Sequence, residues 1–190
     1  KALDYIDRCI KITEPDSLRR VDYTLKKGDI LILSYEISSD KNYLKTAISD
    51  YESLLAKMPS NSGVTTVLNN LAYLLAENDE RLPEALEYAK RALDARPNNP
   101  VILDTYAYVL LKNGKTRQAE EFLAAAVQHF EQERILIPAE LYEHKGMIKE
   151  QLGAKGEALA AFKNALEAGG DKLSPRARQR IEDAIKRVSP

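Results

Sequence analysis

The chain of 190 residues has no tryptophan, a single cysteine and no long apolar run. Because Cys9 is alone, it cannot form an internal disulfide, and this leaves a reducing cytoplasm and the periplasm equally open as compartments. The longest apolar patch, "DILILSYEI", is much shorter than the roughly 18 residues of a membrane span. We therefore predict that the protein does not insert directly into a membrane.

An excess of charge of either sign is also missing. The 28 Lys and Arg residues are balanced by 29 Asp and Glu residues, which gives a net charge of −1. General binding to nucleic acid or to an anionic membrane surface requires a basic excess. We therefore predict no nucleic-acid partner, and an RNA-reading helical repeat is disfavoured for the same reason.

The sequence also lacks a set of residues suited to catalysis. Its two histidines, His129 and His144, fall on different predicted helices and have no second ligand at metal spacing. The segment "NGKT" resembles the end of a phosphate-binding loop, but Val109 stands where that motif requires glycine. We predict no catalytic residue, no cofactor and no metal site, and so a protein that is not an enzyme.

What the sequence does contain is an internal repeat. Apolar residues at helical spacing recur 34 or 35 residues later in the chain. The matched positions are Leu68 with Leu103, Ala72 with Ala107, Leu75 with Leu110, Ala85 with Ala119, and Ala92 with Ala126. Each period predicts two helices joined by a turn, and proline closes the unit at Pro59 and Pro97. Such a pair cannot bury both of its faces alone, so it must stack on further copies.

The repeat predicts a division of the chain into one array. The predicted units are a second helix of a truncated repeat at 1–14, repeats at 16–60, 64–97 and 98–134, a degenerate repeat at 138–170, and a capping helix at 173–189. Because the sequence begins at Lys1 in the middle of this pattern, we expect it to lack the native N-terminus of a longer protein. In the last helix, arginines and other charged residues lie opposite an apolar stripe, and we expect that charged face to meet solvent.

This pattern resembles the tetratricopeptide repeat family, and bacterial members of it most closely. The features that carry the resemblance are small residues on the first helix, glycine near the turn, the Ala–Phe/Tyr–Ala series on the second helix, and the closing proline. The resemblance implies an all-α fold, a right-handed α-solenoid of stacked antiparallel helix pairs with a C-terminal capping helix. It covers most of the chain.

The resemblance also implies a binding groove, because the family binds ligands on the concave side, which the first helices line. Carried over by position, it places one tyrosine from each of three consecutive units in that groove and a methionine from the fourth. The predicted peptide-binding residues are Tyr35, Asn69, Tyr73, Asp104, Tyr108, Glu143 and Met147. Tyrosine suits this role because it offers a large contact area at low entropic cost.

These expectations combine into a non-catalytic scaffold that binds a peptide or helix of a partner protein. The groove lacks the Lys and Arg set that would hold a C-terminal carboxylate, so the ligand should be neutral to basic. The alternative is a structural or self-association module of a larger bacterial envelope or polysaccharide-export assembly protein. In that case the N-terminal helix at 1–14 is the expected surface for a homodimer.

Overall fold

The computed structural model describes residues 1–14, 17–58 and 63–189, which form α-helices, one 3₁₀ turn and no strand. The helices are α1 (Ala2–Ile12), α2 (Leu18–Ser38), α3 (Asn42–Lys57), α4 (Val64–Glu77), α5 (Leu82–Ala95), α6 (Pro100–Lys112), α7 (Thr116–Gln132), α8 (Ala139–Gln151), α9 (Lys155–Gly169) and α10 (Pro175–Val188). Pro59 and the predicted boundaries at 16 and 60 lie outside the described residues. None of these helices is long and apolar enough to cross a membrane.

The helices pack as successive pairs. The pairs are α2 with α3, α4 with α5, α6 with α7, and α8 with α9, and each pair stacks on the next. The result is a right-handed α-solenoid, so the predicted all-α fold is confirmed. The N-terminal α1 packs against α2. At the other end α10 packs against α9 as the predicted cap, but it also reaches back to α2.

Small side chains allow the two helices of a pair to approach closely. Ala72, Ala85, Ala107 and Ala119 are fully buried at these contacts. In the fourth pair a Cβ atom at Gly146 would lie 2.5 Å from Cε1 of Phe162, a separation that real Cβ atoms do not show. The repeated small residues of the sequence therefore mark where helices touch.

In the first pair, the two helices approach each other closely at a different position. Helix α2 runs without a break through Gly28, where a Cβ atom would lie 2.5 Å from Cζ of the fully buried Tyr51. Burial raises the pKa of Tyr51 to about 12. Ser34, which the sequence aligns with Ala72, is half-buried and donates its hydroxyl hydrogen bond to the Ile30 carbonyl. In this pair Gly28, rather than Ser34, admits the large side chain of the partner helix.

Turn and capping residues account for the helix ends. Gly114 and Gly153 follow α6 and α8 with φ angles of +73° and +80°, the left-handed conformation that favours glycine. The side chain of Asn99 accepts hydrogen bonds from the Val101 and Ile102 amides at the start of α6. The "NGKT" segment is thus a turn between two helices.

A buried lysine joins the first three helices. The Nζ atom of Lys27 on α2 lies 2.6 Å from Oδ1 of Asp7 on α1 and 2.8 Å from Oδ2 of Asp50 on α3. Burial opposes the charge of Lys27, but hydrogen bonds to Asp50 and Asp7 outweigh it and raise its pKa. This ion triad fixes α1 against the first pair.

Candidate partner-binding groove

The first helices of the four pairs form a shared concave wall, which we call the groove. On it Tyr73 from α4 and Tyr108 from α6 lie in contact, with ring centroids 5.6 Å apart. His144 from α8 stacks on Tyr108 at 4.3 Å and an interplanar angle of 16°. Three aromatic rings from three consecutive repeats therefore meet at the centre of the groove.

Carboxylates surround these rings. Tyr108 donates a hydrogen bond from its hydroxyl group to Oε2 of Glu77 at 2.9 Å. Burial raises the pKa of Tyr73 and of Tyr108 well above the usual range, and the negative charge of Glu77 adds to both effects. Both phenols therefore stay neutral, and Tyr108 acts as a hydrogen-bond donor to the acidic wall.

His144 pairs with Asp104 across two repeats. Its Nδ1 lies 2.9 Å from Oδ1 of Asp104, and only 5% of the histidine is exposed. Burial lowers the pKa of His144, but the charge and hydrogen bond of Asp104 and the charges of Glu143 and Glu77 outweigh that effect and raise it. In its protonated form His144 compensates part of the negative charge in the groove.

The groove is occupied by α10. Arg180 makes a bidentate contact with Glu143, at 2.5 Å from Nε to Oε1 and 3.0 Å from Nη2 to Oε2, and its Nη1 lies 3.7 Å from Oε1 of Glu77. Arg187 makes a second bidentate contact with Glu150, at 3.0 and 3.1 Å. Two arginines of α10 are thus held by carboxylates on the first helices.

The start of α10 is held by the opposite side of the groove. The guanidinium of Arg176 stacks 4.4 Å from the ring centroid of Tyr35 on α2 and also contacts its hydroxyl group. Ser174 donates a hydrogen bond to Oε2 of Glu36 at 2.5 Å and accepts one from the amide of Ala177 at 3.0 Å. The same side chain therefore caps α10 and ties it to α2.

This position of α10 corrects one expectation. Its charged face was expected to meet solvent, but Arg176, Arg180 and Arg187 point into the groove. At 100° per residue these three positions fall within an arc of about 40° on the helix. The acidic side chains on the wall explain the orientation, because each arginine finds a carboxylate there.

The seven residues predicted for the groove do not share one role. Tyr35, Tyr73, Asp104, Tyr108 and Glu143 all belong to the network just described. Met147 is half-buried and packs between the two apolar clusters of the molecule. Asn69 is buried, and its Oδ1 has no hydrogen-bond partner among the described residues.

Sequence reasoning missed two contributors to the groove, Glu36 and the arginines of α10, although Glu36 follows Tyr35 directly. Glu77, one helical turn after Tyr73, lies on a groove helix but was not among the predicted binding residues. His144 was considered as a metal ligand and was also absent from that set. A search for glutamate near each groove tyrosine would have found the two carboxylates.

A cleft of about 320 Å³ remains between α10 and the wall. Its lining includes Ile32, Glu36, Tyr73, Glu140 and Arg180. The described part of the chain contains no group of three or more His, Cys, Asp or Glu side chains that could hold a metal ion. The groove therefore has the chemistry of a surface that recognises cations and hydrogen-bond donors.

Comparison with known proteins agrees with this architecture. Residues 74–136 match a family model described as tetratricopeptide repeat, and the helix pairs continue on both sides of that segment. Over residues 74–136 the chain is therefore similar in sequence to the tetratricopeptide repeat family. Proteins of this family are in general interaction scaffolds.

Relatives of the repeat array share its sequence or its fold. The chain is 31% identical over 94 residues to the TPR repeat-containing protein PA4667 of Pseudomonas aeruginosa, an alignment that spans 50% of this chain and 15% of that protein. TTC0263, a thermophilic TPR protein of Thermus thermophilus, superposes with a TM-score of 0.64 at 22% identity over 97% of this chain and 89% of its own. YrrB, described as a TPR protein with an unusual peptide-binding site, superposes with a TM-score of 0.54 at 18% identity over 97% and 92%.

Proposed function

We propose that the protein is a scaffold whose groove binds a helical segment of a partner protein. The observation that carries the proposal is the row of carboxylates already holding arginines: Glu36, Glu77, Glu143 and Glu150. Charged hydrogen bonds of this bidentate kind are about twice as strong as neutral ones and set orientation as well as affinity.

The aromatic centre of the groove supports the same function. Tyr73 lines the cleft and packs against the buried Tyr108, and this packing makes the Tyr73 ring a rigid apolar surface between the carboxylates. Tyrosine is enriched where protein surfaces meet partners. The buried, unpaired Oδ1 of Asn69 would accept a further hydrogen bond. From the sequence we expected a neutral to basic ligand, and these features favour a basic one.

Selection of helix-forming peptides from a displayed library on the full chain tests the proposal. We expect the enriched peptides to carry two or more Arg residues on one helical face. Arg180 of α10 uses the same carboxylates, so the comparison is made in an Arg180→Gln background. There the peptide affinity should fall at least tenfold on adding Glu77→Gln/Glu143→Gln, because a charged hydrogen bond is worth about 1.5–3 kcal/mol.

The control makes the same charge change outside the groove. Glu87 and Glu121 are exposed on the second helices α5 and α7, so adding Glu87→Gln/Glu121→Gln to the same background should leave the peptide affinity unchanged. Enriched peptides without basic residues, or equal losses in both variants, would refute the acidic groove as the binding site.

A second candidate, self-association, is favoured by exposed apolar side chains at the N-terminal end. Tyr5, Ile12 and Leu18 are 70%, 85% and 61% exposed on α1 and α2. Sedimentation equilibrium tests it: Ile12→Lys/Leu18→Lys should convert a wild-type dimer to a monomer. A wild type that is monomeric at high micromolar concentration would exclude this candidate.

A further inference from the structure

Helix α10 presents two different faces to the array. Its apolar face, formed by Ile181, Ala184 and Val188, is buried against α9. Its arginine face lies on the groove of the first helices, as described above. One amphipathic helix therefore covers the end of the solenoid and fills the surface that we assign to a partner.

The fit of α10 to the groove is incomplete. Nη1 of Arg180 and Nε of Arg176 are buried and have no hydrogen-bond partner among the described residues. The two nitrogen atoms lie 3.7 Å from Oε1 of Glu77 and 3.9 Å from Oε1 of Glu36, respectively, too far for hydrogen bonds. The cleft of about 320 Å³ is lined by Arg180 and by Glu36, the carboxylate nearest to Arg176. A helix whose own arginines reached these two carboxylates at hydrogen-bond distance would bind more tightly than α10 does.

The connection between α9 and α10 has the features of a hinge. Gly169 ends α9, and Gly170 follows with a φ angle of +48° and open space around the position of a Cβ atom. Arg178 donates a hydrogen bond to the Gly170 carbonyl at 2.6 Å. This bond holds the hinge in place while α10 lies in the groove. The same hydrogen bond, together with the apolar packing of α10 on α9, must break when the two helices separate.

We propose that α10 is an internal occupant of the groove, and that the partner is a second amphipathic helix that displaces it. This helix carries arginines at the spacing of Arg176, Arg180 and Arg187, that is i, i+4 and i+11, beside an apolar stripe like that of α10. The proposal rests on the proposed function, because it requires that the groove accept a helix from another molecule.

The test uses the full chain and a fluorescent peptide with the α10 sequence, residues 174–189. In the wild type the tethered α10 competes at an effective concentration on the order of millimolar. The Arg176→Glu/Arg180→Glu variant places negative charge against the groove carboxylates and weakens this competitor. We expect it to bind the peptide at least tenfold more tightly than the wild type does.

Two further variants serve as controls for this affinity measurement. Lys90→Glu/Lys163→Glu makes the same charge reversal at exposed positions on α5 and α9, outside both the groove and α10, and should bind like the wild type. Arg176→Gln/Arg180→Gln, a milder change, should give an intermediate affinity. This second variant supports the test if the charge reversal disturbs folding, which circular dichroism will reveal.

Hydrogen exchange of the α10 amides separates failure of this proposal from failure of the proposed function. Added peptide should speed exchange in α10 of the wild type while α9 stays protected. Equal peptide affinity in wild type and variant, lost in Glu77→Gln/Glu143→Gln, would overturn displacement while leaving the groove as a binding site. Fast exchange of α10 in the charge-reversal variant without any peptide binding would overturn both.

Discussion

At the scale of single residues, the array depends on side chains that are small where helices meet. Gly146 is buried under the ring of Phe162, whereas Gly156, near the start of α9, has no atom within 4 Å of the position of its Cβ. The two glycines therefore form a matched pair for one substitution.

Gly146→Ala should destabilise the protein by up to about 2.5 kcal/mol. Overpacking costs about 1–3 kcal/mol, and the better helix propensity of alanine returns about 0.5–1 kcal/mol. The Gly156→Ala control should gain about 0.5–1 kcal/mol from propensity alone. Urea unfolding measures both values, and a Gly146→Ala protein as stable as Gly156→Ala would contradict the close contact with Phe162.

His144 predicts a pH dependence. Because its folded pKa is raised above the ordinary 6.5, the folded state holds a proton that the unfolded state releases first. The contribution of protonated His144 to the free energy of unfolding is fully present below about pH 6.5 and is lost as the pH rises through the folded pKa. In a His129→Gln background, NMR titration of His144 should give a midpoint above 6.5, and the free energy of unfolding should decrease above that pH.

The control removes the partner of the histidine. Asp104→Asn keeps the shape of the side chain but not its charge, so the midpoint of His144 should fall and the loss of stability with rising pH should shrink. A midpoint that does not change between the two proteins would contradict the pairing of His144 with Asp104.

At the scale of helices, the residue that begins α10 has two separable roles. Ser174 caps the helix and also donates a hydrogen bond to Glu36. Ser174→Asp keeps a good N-cap but places a negative charge next to Glu36, whereas Ser174→Ala removes the cap. We expect both variants to lose about 1 kcal/mol or more of unfolding free energy.

Comparison with Glu36→Gln identifies the cause of the loss. In that background Ser174→Asp should become nearly neutral, because the like charge is gone, while Ser174→Ala should still lose the cap. A Ser174→Asp loss that does not depend on Glu36 would show that α10 does not dock on α2.

The sequence predicted the helices well but not the docking of α10. Periodicity and the Ser174-Pro175 start define the helix, and its apolar stripe predicts a cap, because both signals are local. Where the arginine face points depends on the turn at 170–174 and on carboxylates such as Glu36, which lies 138 residues before Ser174. The sequence pattern of α10 alone shows neither the path of this turn nor the position of these carboxylates.

At the scale of the whole molecule, the groove too could be predicted only in part from the sequence. The register of Tyr73 and Tyr108 was visible because it repeats every 35 residues. The pairing of Asp104 with His144 spans 40 residues and does not repeat. Features that recur in each unit are readable from one sequence, whereas contacts made once, across units, require the stacked structure.

Spin-label distances between α2 and α10 test the central claim most directly. In a Cys9→Ser background, labels at Ile37→Cys and Gln179→Cys occupy exposed positions on the two helices. The free protein should give one narrow distance distribution, and the α10 peptide should add a second, longer one at the expense of the first. A broad distribution in the free protein, or a narrow one unchanged at saturating peptide, would contradict a groove held by a displaceable helix.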